Sequence, residues 1–326
     1  MSTRRLGKAG PEVFPLGLGC MGMSDFYGPA DENESIATIH AALDAGVNLL
    51  DTGDYYGMGH NEMLIGRALR GRRDKALVSV KFGALRDPAG AWTGMDARPV
   101  AVKNFLAYSL KRLGVDHIDI YRPGRLDPQV PIEETVGAIK EVIEAGLVRY
   151  IGLSEVGADT VRRAHAVHPI GDLQIEYSLV SRKPEETILP ALNELGVGMT
   201  AYGVLSRGLL AGSKPAGKGD FRAYLPRFTG DNAARNAKLV AALESVAADK
   251  GVSTPQLAIA WVLSRGENIV PLVGARKRSQ LEDSLGALRL KLTEEDRQRI
   301  EQAVPEAKVA GQRYPEQAMA HLDSER

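Results

Sequence analysis

Pro131-Ile-Glu-Glu-Thr-Val-Gly-Ala-Ile-Lys-Glu-Val-Ile-Glu-Ala-Gly146 reads as a helix, and Val148-Arg-Tyr-Ile-Gly-Leu153 behind it reads as a strand. Pro131 suits a first helical turn, where its missing N–H costs nothing. Ile132, Val136, Ile139 and Ile143 recur at helical spacing and define one apolar face. Gly146 supplies the stop. A short run with β-branched Val148 and Ile151 then follows almost at once. A helix tied this closely to a following strand is half of a parallel strand–helix–strand unit.

The same unit recurs outward in both directions. Strand-like runs lie at 16–20, 47–51, 76–81, 117–121, 148–153, 173–177, 198–202 and 269–273. One helix opens near Asp31, with Glu34 three residues later, carries Ile36, Ile39 and Leu43, and closes at Gly46. Another starts near Arg98 and aligns Val102, Phe105, Ser109 and Leu113. Pro184 and Gly196 bracket a further one. Ser253 and Gln256 form a capping box before 257–263. Eight alternating units predict parallel strands with right-handed crossovers. The expected architecture is α/β, a (β/α)8 TIM barrel spanning 1–326 as one domain. Residues 4–14, with Gly10-Pro11 at their middle, are expected to form a short N-terminal β-hairpin closing the barrel's bottom. Extra helices are expected at the C-terminal end. The Gly-rich stretch 212–230, with Phe221, Tyr224 and Phe228, is expected to be a lid.

Composition excludes several classes. The 326 residues carry 41 Lys+Arg and 41 Asp+Glu, without a long run of either sign. Nothing in that balance points to nucleic acid or to an anionic membrane. Cys20 stands alone and suits a reducing compartment. The basic N-terminus has no apolar segment behind it, and no stretch is long enough to span a bilayer. The expectation is a cytoplasmic protein. His165 and His168 lack a Cys or Glu cluster beside them, so no metal site is expected.

Gly17-Leu-Gly19-Cys-Met-Gly22 matches a dinucleotide fingerprint literally. That reading requires a helix starting on the third glycine, whose N-terminus would hold the pyrophosphate. Gly28-Pro29 forbids a helix until about Asp31, so a small-residue turn after the first strand is expected instead.

Active sites of such barrels sit where strands end and the following loops begin. Asp51 ends the second predicted strand, Tyr55 and Tyr56 follow it, and Lys81 ends the third. A Lys cation near a tyrosine favours the phenolate, and an Asp keeps the Lys charged and placed. Such a set can donate a proton to a carbonyl oxygen. The same residues would equally make a rim salt bridge with surface tyrosines.

Asp51-Thr-Gly-Asp-Tyr-Tyr56-Gly-Met-Gly-His-Asn-Glu62 and Val80-Lys81-Phe-Gly resemble the signature of the aldo-keto reductase family. Tyr150-Ile-Gly-Leu-Ser154-Glu155, Gln174-Ile-Glu-Tyr-Ser, Tyr202-Gly-Val-Leu-Ser-Arg207-Gly208 and Pro271-Leu-Val-Gly274-Ala-Arg276 continue it in the family's order. The resemblance covers essentially the whole chain. It implies a barrel that binds NADP (NADPH) without a Rossmann domain and reduces aldehydes or ketones. Tyr56 is the implied general acid, assisted by Lys81 and Asp51. Ser154 and Gln174 are implied partners of the nicotinamide amide, and Tyr202 an aromatic stacked on its ring. Gly203, Val204, Leu205, Arg207 and Gly208 would meet the pyrophosphate, with Met21, Gly22 and Asp51 also at the cofactor. Gly274, Ala275, Arg276 and Gln280 would meet the adenosine end. The three cations at 276–278 imply NADP rather than NAD.

One departure stands out. The family's catalytic His after the fourth strand is Gly124 here, within Arg122-Pro-Gly124-Arg125. His117 and His60 are the remote substitutes. Arg125 is expected to be structural and Arg122 to be the cation of interest. Phe26, Tyr27, Phe82, Trp92 and the lid aromatics are expected to line an apolar substrate pocket. Two alternatives accompany the reductase: an NADPH-binding sensor or partner subunit with little turnover, and an unrelated barrel enzyme acting on a phosphorylated substrate.

Overall fold

The helix caps read from the sequence place the helices. The Glu34 N–H donates to Asp31 Oδ1 at 2.7 Å and opens α1 (Glu32–Asp44). Ser253 and Gln256 make the reciprocal capping box of α8 (Thr254–Leu263). Gly196, at φ 71°, closes α6 (Ile188–Leu195) in the left-handed region that glycine enters without penalty. The computed structural model describes residues 3–24, 26–217 and 219–326.

Eight parallel strands close into a barrel. They are β3 (Gly17–Gly19), β4 (Leu49–Gly53), β5 (Leu77–Phe82), β8 (Ile118–Pro123), β9 (Val148–Ser154), β10 (Ile170–Glu176), β11 (Gly198–Tyr202) and β12 (Ile269–Gly274). The order around the barrel follows the chain, and β12 pairs with β3 to close it. Helices α1, α2 (His60–Ala68), α3 (Pro99–Leu113), α4 (Ile132–Glu144), α5 (Ala158–Val167), α6, α8 and α9 (Arg278–Gly286) connect or follow the strands. The main apolar core lies between strands and helices, as in Val80, Ile151, Val136 and Trp261.

The N-terminal hairpin β1 (Arg4–Arg5) and β2 (Glu12–Val13) closes one barrel end, as expected. Leu6 and Val13 plug that end against Leu49, Ile120 and Val270. The Arg4 guanidinium donates to the Gly266, Ile269 and Leu263 carbonyls at 2.8, 2.6 and 3.0 Å. After β3 the chain makes a single 3-10 turn, Met21–Met23, and α1 begins only at Glu32. Among the described residues no α-helix starts at Gly22, which lies inside the 3-10 turn, so the glycine fingerprint is a turn.

Some elements differ from the sequence reading. The sixth barrel strand starts at Ile170, three residues early. A second hairpin, β6 (Ala84–Arg86) with β7 (Trp92–Met95), follows β5. It has no alternating apolar face, which hid it. Helix α7 (Gly230–Asp249) is rich in alanine and charge around a thin stripe of Val240, Leu243 and Val246. Helices α10 (Glu294–Ala303) and α11 (Glu316–Met319) make up the C-terminal end. The stretch expected to be a lid meets the loop after β3, where the Phe221 N–H donates to Phe26 O at 3.0 Å, and is braced within itself by Arg222 on Asp220 at 2.6 Å. No described helix is long and apolar enough to cross a membrane.

Candidate active site

The site grows from a polar seam inside the barrel. Inward positions of β4, β5, β8, β10 and β11 carry Asp51, Ser79, Lys81, Arg122, Asp172, Gln174 and Thr200, all buried. The strands are therefore not uniformly apolar: their barrel-side positions alternate polar groups with the apolar outer face. Lys81 Nζ is ion-paired to Asp51 Oδ1, and the two side chains are only 4% exposed. The other Asp51 oxygen accepts from Ser79 Oγ at 2.9 Å and Gln174 Nε2 at 2.7 Å. Burial depresses the Lys81 pKa, and Asp51 opposes that shift.

Tyr55 and Tyr56 follow β4 in a turn whose Gly57, Met58 and Gly59 all have positive φ. Met58 is the costly member, a non-glycine residue held left-handed at φ 53°. Asn61 holds this turn in place. It accepts from Thr52 Oγ1 at 2.6 Å and donates to Cys20 O at 2.9 Å and Ser24 Oγ at 2.7 Å. Tyr56 ends up buried, with the Lys81 ammonium 5.1 Å from its ring centre. Burial first, then the neighbouring Tyr55 and Asp51, hold the Tyr56 phenol well above its usual pKa. The cation that lowers it is Arg125, burial outweighs that charge, and the phenol is protonated at neutral pH.

The two arginines exchange the parts expected of them. Arg122 is the structural one, fully buried on Asp172 at 2.9 Å and on Ser79 Oγ at 3.0 Å. Arg125 lies at the mouth, donates to Gly124 O at 2.6 Å, and its charge reaches both Tyr55 and Tyr56. His60 is held by Ser24 at 2.9 Å and Glu32 at 2.6 Å, and His117 by Asp116 at 2.7 Å. Neither histidine is joined to the seam.

The aromatic wall is partly as expected. Phe26 stacks on Trp92 at 6.2 Å and meets Phe221 edge-on at 5.5 Å, while Tyr27 meets Phe221 at 5.3 Å. Phe82 is not part of it: it stacks on Tyr121 at 4.3 Å in the strand–helix layer. Tyr224 points to solvent, 74% exposed.

The expected cofactor residues ring the same barrel end, and they fit a dinucleotide at two places. Ser154 Oγ is buried without a hydrogen-bond partner, as a hydroxyl awaiting an amide would be. Gly274 is exposed, and a Cβ on it would meet nothing nearer than Gly19 O at 4.0 Å. Between them, Ser206, Arg207 and Gly208 turn through positive φ after Gly203, with Val204 buried and Leu205 partly so. Others are engaged within the chain. Gln174 donates to Asp51, and Arg207 pairs with Glu176 at 2.8 Å. Arg276 donates to Tyr27 O at 3.1 Å, and its stem would touch a Cβ on Gly22 at 3.3 Å. Gln280 Oε1 accepts from the Arg276 N–H at 3.0 Å. Met21 opens the turn that carries Gly22, and Ala275 is buried. Among the described residues, no group of three or more His, Cys, Asp or Glu could hold a metal ion.

Sequence reasoning missed the C-terminal strap. Arg313 grips Glu155 through two bonds of 2.8 and 2.6 Å, and Tyr314 Oη lies 3.1 Å from Tyr202 Oη. Only the positive φ of Glu155 marks its partner, and no spacing in the sequence announces that.

Comparison with known proteins agrees with this geometry. Residues 15–305 match the profile of the Aldo/keto reductase family. The chain is 42% identical over 315 residues to a protein of Glycine max named "Probable aldo-keto reductase 1", covering 95% of this chain and 91% of that one. It superposes on the glycerol dehydrogenase AKR11B4 of Gluconobacter oxydans with a TM-score of 0.84, at 29% identity, over 92% of this chain and 94% of the other. The holo form of the aldo-keto reductase AKR11C1 of Bacillus halodurans gives 0.78, also at 29%, over 94% and 97%.

Proposed function

The chain belongs to the aldo/keto reductase family, and on that premise we propose that it reduces aldehydes or ketones with NADPH, Tyr56 being the proton donor. The observation that carries this reading is a buried, protonated phenol beside the ion pair of Lys81 and Asp51 at the mouth of the barrel.

When bound, the nicotinamide supplies the hydride. The Tyr56 hydroxyl gives its proton to the carbonyl oxygen as negative charge develops there. Lys81 places a cation against the Tyr56 ring, which favours the phenolate left behind. Asp51 fixes that cation, and Ser79 and Gln174 fix Asp51. Ser154 would offer its unused hydroxyl to the nicotinamide amide, and Arg207, Arg276 and Gln280 would hold the phosphates and the adenosine end. Phe26 and Trp92, stacked on each other, would offer an apolar wall to a carbonyl compound.

The test is consumption of NADPH in the presence of aldehydes, followed by absorbance, in the wild type and in Tyr56→Phe. Turnover by the wild type, lost in a variant that still binds NADPH, is the expected result. Undiminished turnover in Tyr56→Phe would remove Tyr56 from its role. NADPH binding without turnover of any carbonyl compound would favour a sensor or partner subunit.

A further inference from the structure

A second phenol stands beside the first, and the residue opposite it has no side chain. The Tyr55 ring meets the Tyr56 ring edge-on, with centroids 4.9 Å apart, and meets Trp92 at 5.3 Å. A Tyr55 phenolate would raise the Tyr56 pKa, so the two hydroxyls lie near each other. Across from them, a Cβ on Gly124 would lie 3.2 Å from Tyr55 Oη, 3.3 Å from Tyr55 Cε1 and 3.3 Å from Phe82 O. Gly124 is not among the positive-φ residues, and its N–H is fixed on Phe82 O at 2.8 Å. Space, and not backbone conformation, is therefore what a side chain at 124 lacks. The Tyr55 phenol takes the volume such a side chain would enter.

Resting on the reductase reading, we propose that Tyr55 is a second hydroxyl donor to the reacting carbonyl oxygen, admitted to the site by Gly124. Two phenols packed edge-on with ring centres 4.9 Å apart can both reach one oxygen that enters between their hydroxyls. Burial holds both phenols protonated at neutral pH, so both can donate. In the reaction the carbonyl carbon takes the hydride and its oxygen takes the Tyr56 proton. Tyr56 is left as phenolate and recovers a proton from water. Tyr55 keeps its own proton throughout, and its hydrogen bond strengthens as charge grows on the oxygen. Arg125, bonded to Gly124 O, fixes the other side of this arrangement.

Benzoate is a suitable probe, because its carboxylate accepts two hydrogen bonds and its ring suits the aromatic wall. Its affinity is measured by titration with and without NADP, beside kcat on a small aldehyde. Tyr55→Phe keeps the ring and removes only the donor. It should lower kcat about a hundredfold and weaken benzoate roughly tenfold, with NADPH affinity unchanged. Tyr55→Ala opens room at 124, so Tyr55→Ala/Gly124→His should regain about tenfold in both readouts over Tyr55→Ala alone. A folded, NADPH-binding Tyr55→Phe with unchanged benzoate affinity overturns the proposal, whatever its kcat. Absence of benzoate binding in the wild type overturns it too. Benzoate binding that depends on Tyr55, in a protein that turns over no carbonyl compound, keeps the donor pair and sinks the reductase reading instead.

Discussion

Arg122 and Asp172 meet inside the barrel at 2.9 Å, each with a side chain fully closed to solvent. Gly152 makes the room: a Cβ there would lie 2.8 Å from both Arg122 Cζ and Asp172 Oδ1. The pair joins the active-site seam through Ser79, which bonds Arg122 at 3.0 Å and Asp51 at 2.9 Å. Removing one partner leaves the other charge buried and uncompensated. Arg122→Met should therefore cost about 3–5 kcal/mol in denaturant unfolding. Arg122→Met/Asp172→Leu, which removes both charges, should recover much of that. A single variant as stable as the wild type would mean the seam tolerates a lone carboxylate.

Asp54 predicts a pH dependence of stability. Burial, and then the Glu62 carboxylate, push its pKa up to about 8, and its Oδ1 has no hydrogen-bond partner. Between the unfolded carboxylate value of about 3.9 and 8, the folded state holds more protons than the unfolded one. Stability from this group thus falls as pH rises across that window and levels above it. Asp54→Asn should stabilise the protein by roughly 1–3 kcal/mol at pH 8.5 and by much less at pH 5. Equal differences at the two values would show that Asp54 ionises freely in the fold.

Arg276 should set the choice of nucleotide. Arg276→Met is expected to weaken NADPH roughly tenfold or more, and NADH little. Raising the salt should narrow the wild type's preference. Because Arg276 also bonds Tyr27 O and Pro29 O at 3.1 and 3.4 Å, both nucleotides are titrated. A parallel loss for the two would assign Arg276 to holding that loop and not to the 2′-phosphate.

The C-terminal strap should release in Arg313→Met. Burial alone would raise the Glu155 pKa, but Arg313 overrides it and holds the carboxyl well below its usual range. The stability of this pair is therefore fully present above the ordinary Glu value of about 4.3. It is lost only as pH falls through the lower folded value. The wild-type strap should resist limited proteolysis at pH 5 as at pH 7, whereas Arg313→Met should be clipped near its C-terminus at both. Equal resistance of wild type and variant would mean that Lys183–Glu325 and the Asp323 contact to Gly157 suffice.

By itself the sequence determined what is local. Eight strand–helix units, the Asp31 and Ser253 caps and the stop at Gly196 follow from periodicity and from hydrogen bonds spanning three or four residues. The same reading placed Tyr56 just past β4 and Lys81 next to the end of β5, whereas Asp51, expected to end its strand, lies mid-strand with β4 running on to Gly53. Tertiary structure alone decided the rest, because it depends on which way a side chain points and on partners far along the chain. Gln174 reaches Asp51 across 123 residues, and Arg313 reaches Glu155 across 158. Arg122 and Arg125 sit three apart, yet one faces into the barrel seam and the other caps the strand's end at the mouth. Along a strand the facing alternates, and where the strand stops the alternation stops with it. Gly124 read as a missing group in the sequence. Only the closed barrel brings Tyr55, from another strand's loop, into the space that glycine leaves.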